Sequence, residues 1–341
     1  MNSVNPAEIF ALGGPGKSNG CCCACFGAPP EPIDPQNIVS QGGKFVTLPD
    51  SRILEYFVYG STNADATVLV QIAGSFGTGR IFLEGEIGEM CKNLNIKGIS
   101  ITVPGFGFST VNVGGRIIDF AADVDHVLKA EQVDKFIVEG TSYGTSFAMA
   151  VAWFFGKHGR VKGMHLHVPY LPLEISRGQE PHLGKAEALE TTTADLQNCS
   201  SCHYFCMSSF SCCCAGMCGP CCAPALPDYP PGGMFAWNDM QRSAIHSVYG
   251  GVFNTTADRV LTNWGFDVRE IQLKGPNQVL VSYATDDTDS PPDHGKWLGE
   301  YFQASVNADG GLQHLTYLGK FFKGELVKQF YDLTVGNGNG E

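Results

Sequence analysis

The residues that could do chemistry in this chain begin with a serine between small neighbours, Gly140-Thr141-Ser142-Tyr143-Gly144. The stretch before it, Phe136-Ile137-Val138-Glu139, reads as a strand. The stretch after it, Ser146 to Gly156, is almost wholly apolar and reads as a buried helix. A G-x-S-x-G pentapeptide in that context predicts a turn too tight for side chains at its ends, which lifts the central hydroxyl above the sheet. A serine hydroxyl is a weak nucleophile and needs a histidine base, itself held in one tautomer by a carboxylate. Asp287 follows the strand-like Val279 to Tyr283, where its carboxylate would project at the carboxyl edge of a sheet. His314 follows a helical stretch, about Asp293 to Phe302, and the turn Asp309-Gly310-Gly311. Serine, acid, histidine is the order this type of elbow uses. The chemistry would be acyl transfer, with Ser142 attacking a carbonyl, His314 taking its proton and Asp287 stabilising the imidazolium.

Other residues compete for these roles. Asp286 and Asp289 flank Asp287 and are alternative acids. His294 opens the expected helix and reads as exposed, while His165 and His167 lie on a strand and read as core or edge residues. His203 and His246 fall in a region of different composition. Two glycine-rich stretches resemble nucleotide loops and fail on spacing. Ile9 to Ser18 has Ala11 where a P-loop needs its first glycine, with no helix after it. Gly74 to Gly79 lacks the G-x-G-x-x-G spacing.

The elements that must position the serine, acid and histidine follow from texture. Lys44–Leu48 and Ile53–Tyr59 read as a hairpin. Val68–Ala73, Ile99–Val103, Lys135–Glu139, Val161–His167 and Gln278–Tyr283 are apolar runs of the kind buried on both faces. Ile117–Ala130 keeps a 3.6-residue apolar repeat. Strands and helices in alternation predict an α/β fold with a mostly parallel sheet covered by helices on both faces. The alternation stops near Tyr170 and resumes near Asn277, which predicts an insertion roofing the site.

Several separate stretches together resemble the α/β-hydrolase superfamily. Val68 to Ser75 resembles its strand ending in a His-Gly turn, and Val103-Pro104-Gly105-Phe106-Gly107-Phe108-Ser109 its P-G-x-G-x-S segment. Val133 to Gly144 resembles the strand-elbow unit, Ala284-Thr285-Asp286-Asp287 the acid turn, and Gly311-Leu312-Gln313-His314 the histidine loop. Ala73, Ala284 and Gln313 depart from the pattern. The resemblance implies an α/β-hydrolase fold with a Cys-rich cap insertion, divided as 1–40 tail, 41–170 core, 171–263 cap and 264–341 core. It implies an oxyanion hole from the backbone N–H of Tyr143 and of Ser75 or Phe76, and no cofactor or metal. The expected activity is hydrolysis of a carboxylic ester or thioester. Amide or carbon–carbon bond hydrolysis by the same residues is one alternative. A non-catalytic, membrane-tethered ligand-binding protein is the other.

Composition narrows partners. Hydrophobic residues are 43% and charged residues 16% of the chain, ample for a core. The net charge of −12, without a basic cluster, would repel a phosphate backbone, so no nucleic acid is expected. No apolar run reaches the roughly 18 residues of a membrane span, and Met1 to Pro6 lacks the features of an export signal. Of the 14 cysteines, Cys21, Cys22, Cys23 and Cys25 crowd one tail and nine more lie between Cys199 and Cys222. The tail cluster suits multiple S-acylation, which would hold a cytoplasmic protein on the cytosolic face of a membrane. The second cluster, with His203, suits acylation or membrane contact better than zinc, because Cys212-Cys213-Cys214 fits tetrahedral geometry poorly. Phe205, Phe210, Phe235 and Trp237 point to a small-molecule or lipid acyl substrate.

Overall fold

The computed structural model describes residues 35–40, 42–74, 78–83, 86–110, 112, 114–172, 175, 263–287, 290–314, 317, 319–320 and 323–335. Its strands are β1 Gly43–Thr47, β2 Ile53–Gly60, β3 Thr67–Ile72, β4 Ile96–Ile101, β5 Phe136–Thr141, β6 Val161–His167, β7 Val279–Ala284 and β8 Ser305–Asp309. The helices among the described residues are α1 Pro35–Ser40, α2 Ile87–Asn93, α3 Asp119–Ala130, α4 Gly144–Gly156, α5 Pro292–Phe302 and α6 Glu325–Thr334. Cys21, Cys22, Cys23, Cys25, Ser75 and Phe76 lie outside the described residues. So do residues 176–262, which hold the nine-cysteine cluster and most of the expected cap.

The strands form one eight-stranded sheet in the order β1-β2-β4-β3-β5-β6-β7-β8. The β1–β2 and β2–β4 pairs are antiparallel and every later pair is parallel. Parallel strands between helices must bury both faces, and alternation along them sorts side chains into two cores. Val70, Ile72, Val138, Leu166 and Val281 pack with Phe120, Phe147, Phe155 and Leu298 of α3, α4 and α5. Leu69, Ile137 and Leu280 face the other way, onto Ile87 and Cys91 of α2 and Leu326 and Phe330 of α6. The centre of the sheet is thereby fixed, and β3, β5, β6 and β7 end together on one rim.

Two polar ties bind the antiparallel edge to this frame. Arg52 forms paired 2.7 Å bonds with the buried Asp123 of α3. Glu55 of β2, also buried, accepts from Thr102 Oγ1 at 2.5 Å and from the Phe108 N–H at 3.2 Å. Gly107, at φ +49°, lies so close that a Cβ there would stand 2.7 Å from Glu55 Oε1. The glycine of the P-G-x-G-x-S segment is therefore required by a buried carboxylate.

Four elements differ from the sequence reading. Residues 35–40 form α1, within the stretch expected to be an irregular tail, because Ile38 is buried against Gly43. The helices α2 and α6 and the edge strand β8 also emerge. The composition of β8, Ser-Val-Asn-Ala-Asp, is poor in β-branched residues, and it pairs on one side only. No helix among the described residues is long and apolar enough to cross a membrane.

Candidate active site

The strand β5 ends at Thr141 and α4 begins at Gly144, so two residues carry the whole reversal. Ser142 takes φ +53°, in the left-handed region that costs an ordinary residue about 1–2 kcal/mol. The strain is held from both sides. The Ser142 N–H donates to the His167 carbonyl at 2.8 Å, and the Ser142 carbonyl accepts from Thr145 N at 2.9 Å and Thr145 Oγ1 at 2.6 Å. The glycines are steric necessities. A Cβ at Gly140 would sit 2.5 Å from the Gly144 carbonyl oxygen, and one at Gly144 would run into the Ile72 and Ala73 carbonyls.

On this turn the Ser142 hydroxyl lies 2.9 Å from His314 Nε2, and His314 Nδ1 lies 2.7 Å from Asp287 Oδ2. Asp287 is 1% exposed and Ser142 and His314 are each 7% exposed. A carboxylate can only accept, so its bond places the imidazole proton on Nδ1 and leaves Nε2 as an acceptor facing the hydroxyl. The second Asp287 oxygen accepts the Ser290 N–H at 2.9 Å.

The neighbouring acid has a separate task. Asp286 Oδ2 accepts the Gly311 N–H at 2.6 Å and so pins the loop that carries His314. Lys320 closes the far side of that loop with a 2.7 Å bond to Asp309 at the end of β8. Asp289 lies outside the described residues. Ser290, which the sequence reading did not single out, donates its hydroxyl to the Val168 and Pro169 carbonyls at 3.0 and 2.7 Å. It thereby joins the acid turn to the chain leaving β6. Val168 there adopts φ +46°, a rare conformation for a β-branched residue. Its N–H is held by the Ser282 carbonyl at 2.7 Å.

Of the expected oxyanion donors, Tyr143 is described and Ser75 and Phe76 are not. Tyr143 starts α4 at φ −51°, its ring edge-on to Phe147 with centroids 5.0 Å apart. The chain leaving β3 runs over the elbow. A Cβ at Gly74 would lie 2.9 Å from the Thr141 carbonyl and 3.0 Å from Ser142 Cβ. Gly79, at the end of that loop, is anchored by its N–H to Thr102 Oγ1 at 2.8 Å and by its carbonyl to Ser100 Oγ at 2.6 Å.

The remaining histidines separate. His165 and His167 are both fully buried on the α2–α6 face of the sheet. Burial, then the charges of His165, His314 and Lys320, keeps the His167 imidazole well below its usual range. His294 corrects the sequence reading. It is fully buried rather than exposed, because the first turn of α5 packs beneath the chain leaving β6. Its Nδ1 accepts the Leu171 N–H at 3.2 Å, and burial lowers its pKa to about 4. His203 and His246 lie outside the described residues. Among the described residues no cluster of three or more His, Cys, Asp or Glu could hold a metal ion.

No protein-family model and no curated protein sequence matches this chain. Solved structures match its fold. A hydrolase from Pseudomonas aeruginosa superposes with a TM-score of 0.55 at 17% identity, over 84% of this chain and 97% of its own. A bromoperoxidase from Bacillus anthracis gives 0.57 at 17% identity, over 85% and 99%. An esterase from Rhodococcus gives 0.53 at 19% identity, over 86% and 99%. At these identities the likeness establishes the architecture, which is the α/β-hydrolase fold with helices on both faces of the sheet.

His294 yields a pH test. Its folded pKa of about 4 lies below the ordinary 6.5. As pH falls below about 6.5 the unfolded chain takes up a proton that the folded site refuses. This part of the stability is complete above that pH and declines towards about 4, by about 3 kcal/mol. In His294→Asn the amide oxygen takes the place of Nδ1, so it can accept the Leu171 N–H, and it does not titrate. The unfolding free energy of wild type should therefore fall more steeply than that of the variant across this window. Parallel curves in urea unfolding at each pH would contradict the assignment.

Proposed function

We infer that this chain is a serine hydrolase that cleaves a carboxylic ester or thioester through an acyl-enzyme on Ser142. The observation that carries the reading is the hydrogen-bonded line from Asp287 through His314 to the hydroxyl of Ser142, on a turn strained to present it. In the first step a bond forms between Ser142 Oγ and the substrate carbonyl carbon while His314 Nε2 takes the hydroxyl proton. Asp287 stabilises the imidazolium. The tetrahedral oxyanion is held by the N–H of Tyr143 and that of Ser75 or Phe76, donors worth about 3 kcal/mol each in such sites. His314 then protonates the departing alcohol or thiol, and the carbonyl re-forms as an acyl-Ser142 ester. Water, deprotonated by His314, attacks this ester. The acid leaves and Ser142 recovers its proton.

The substrate class is a hydrophobic acyl group, on the ground of the aromatic cap residues Phe205, Phe210, Phe235 and Trp237 within the expected cap at 171–263. An esterase from Rhodococcus and an enol-lactonase from Burkholderia xenovorans are among the proteins of the same fold. The clustered Cys21, Cys22, Cys23 and Cys25 support S-acylation and attachment to the cytosolic face of a membrane, since two or more chains give stable anchoring.

A fluorophosphonate probe should label the wild type and not Ser142→Ala. Asp287→Asn should lower acyl-ester turnover by about 10⁴-fold, because it disturbs the tautomer. Asp286→Asn, whose amide oxygen still accepts from Gly311, should cost less than about tenfold. A wild type that never labels would replace this reading with a ligand-binding role. For the tail, hydroxylamine-sensitive palmitate should be present on the wild type and lost when the four tail cysteines become serine. Equal incorporation in both would remove the tail assignment and shift acylation to the Cys199–Cys222 cluster.

A further inference from the structure

Beneath the elbow lies a second polar chain that the hydrolytic steps do not use. Glu139 of β5 and His165 of β6 are both fully buried, and their side chains meet at 2.6 Å between Oε1 and Nδ1. The other Glu139 oxygen accepts from Gln71 Nε2 of β3 at 2.5 Å. On the far side His165 Nε2 lies 2.9 Å from Ser282 Oγ of β7. Asn307 of β8 donates to that same hydroxyl oxygen at 3.2 Å, and it exchanges bonds with Gln329 of α6 at 2.8 and 3.2 Å. Five adjacent strands and a helix are thus laced together within a face otherwise built from Leu69, Ile137, Leu280 and Phe330. Leucine-like side chains would fill such a face without desolvating a carboxylate, so the buried polar row calls for a reason other than stability.

The reason lies in how β5 meets β6. Their pairing opens at Phe136 with Val161, then steps to Ile137 with Gly163, leaving Lys162 bulged out and exposed. From that bulge onward Glu139 lies beside His165 and Thr141 beside His167. Only in this register does the His167 carbonyl receive the Ser142 N–H. Without the extra residue, Glu139 would stand beside Met164, whose side chain belongs to the opposite core. A slip of one residue turns every side chain of a strand to the other face, and the bulge here joins two such registers within one strand pair. Hydrophobic side chains discriminate weakly between the two. A carboxylate and an imidazole that must find each other discriminate strongly, and fixing register is the best-attested use of such buried polar contacts.

We propose that Glu139 and His165 are a positioning pair that locks the β5–β6 register and so holds the elbow on which Ser142 stands. Only the kinetic half of its test rests on the hydrolase reading. The variant Glu139→Leu/His165→Leu replaces the pair with apolar groups in the full chain. It should keep a cooperative unfolding transition, yet exchange the amide hydrogens of peptides covering 136–146 and 161–168 about tenfold faster or more. Its fluorophosphonate labelling at Ser142 should slow by about tenfold or more, as expected for a displaced nucleophile. Glu139→Gln, which can bridge Gln71 and His165 if the imidazole changes tautomer, should retain labelling within about threefold. Should the double variant not fold, Glu139→Leu alone carries the same expectation, because it removes the carboxylate that bridges Gln71 and His165. A folded leucine variant with wild-type exchange and wild-type labelling overturns the proposal. A wild type that itself never labels defeats the hydrolase reading, while the exchange measurement still decides the lock.

Discussion

Ser142 is bonded through His314 to Asp287, and the serine and histidine of that line are 172 positions apart in the chain. A hydrogen bond tolerates a few tenths of an ångström, so three loops from different parts of the fold must be placed to that tolerance. The parallel sheet supplies the common origin, because β5, β6 and β7 end side by side and deliver the serine, its backbone acceptor His167 and the acid turn. The strained φ of Ser142 persists only because surrounding contacts over-determine it, which is the usual condition for strain at a working site.

Much of the polar structure around the rim serves that placement rather than net stability. Asp286 holds the histidine loop through Gly311, and Ser290 ties the acid turn to Val168 and Pro169. Thr145 and His294 accept the N–H groups of Tyr170 and Leu171. Every backbone N–H from Val168 to Leu171 therefore has an assigned partner up to the point where the expected cap begins. The chain leaving β6 is thus anchored beside the turns that carry Asp287 and Ser142.

The elbow, the parallel sheet and the serine–acid–histidine order were legible because each rests on local chemistry. Small residues mark a tight turn, apolar runs mark buried strands, and Asp287 follows such a run directly. The pairing of Glu139 with His165 was not legible. Nothing in a one-dimensional pattern says that two polar residues 26 positions apart face each other across a bulge. His294 was misread because a helix start at Pro-Asp usually faces water, whereas here the first turn packs beneath the chain leaving β6. Choosing between Asp286 and Asp287 likewise needed coordinates, since adjacent residues in a turn point in different directions.

The proton between His314 Nδ1 and Asp287 tests the central claim most directly, because it exists in a single ordered bond only if the line is assembled in solution. Proton NMR of the wild type at neutral pH should show a resonance far downfield of the amides that is lost in His314→Gln and shifted or lost in Asp287→Asn, separate from any signal of the buried Glu139–His165 bond, which both variants keep. A wild-type spectrum in which no downfield resonance disappears on His314→Gln would contradict the account.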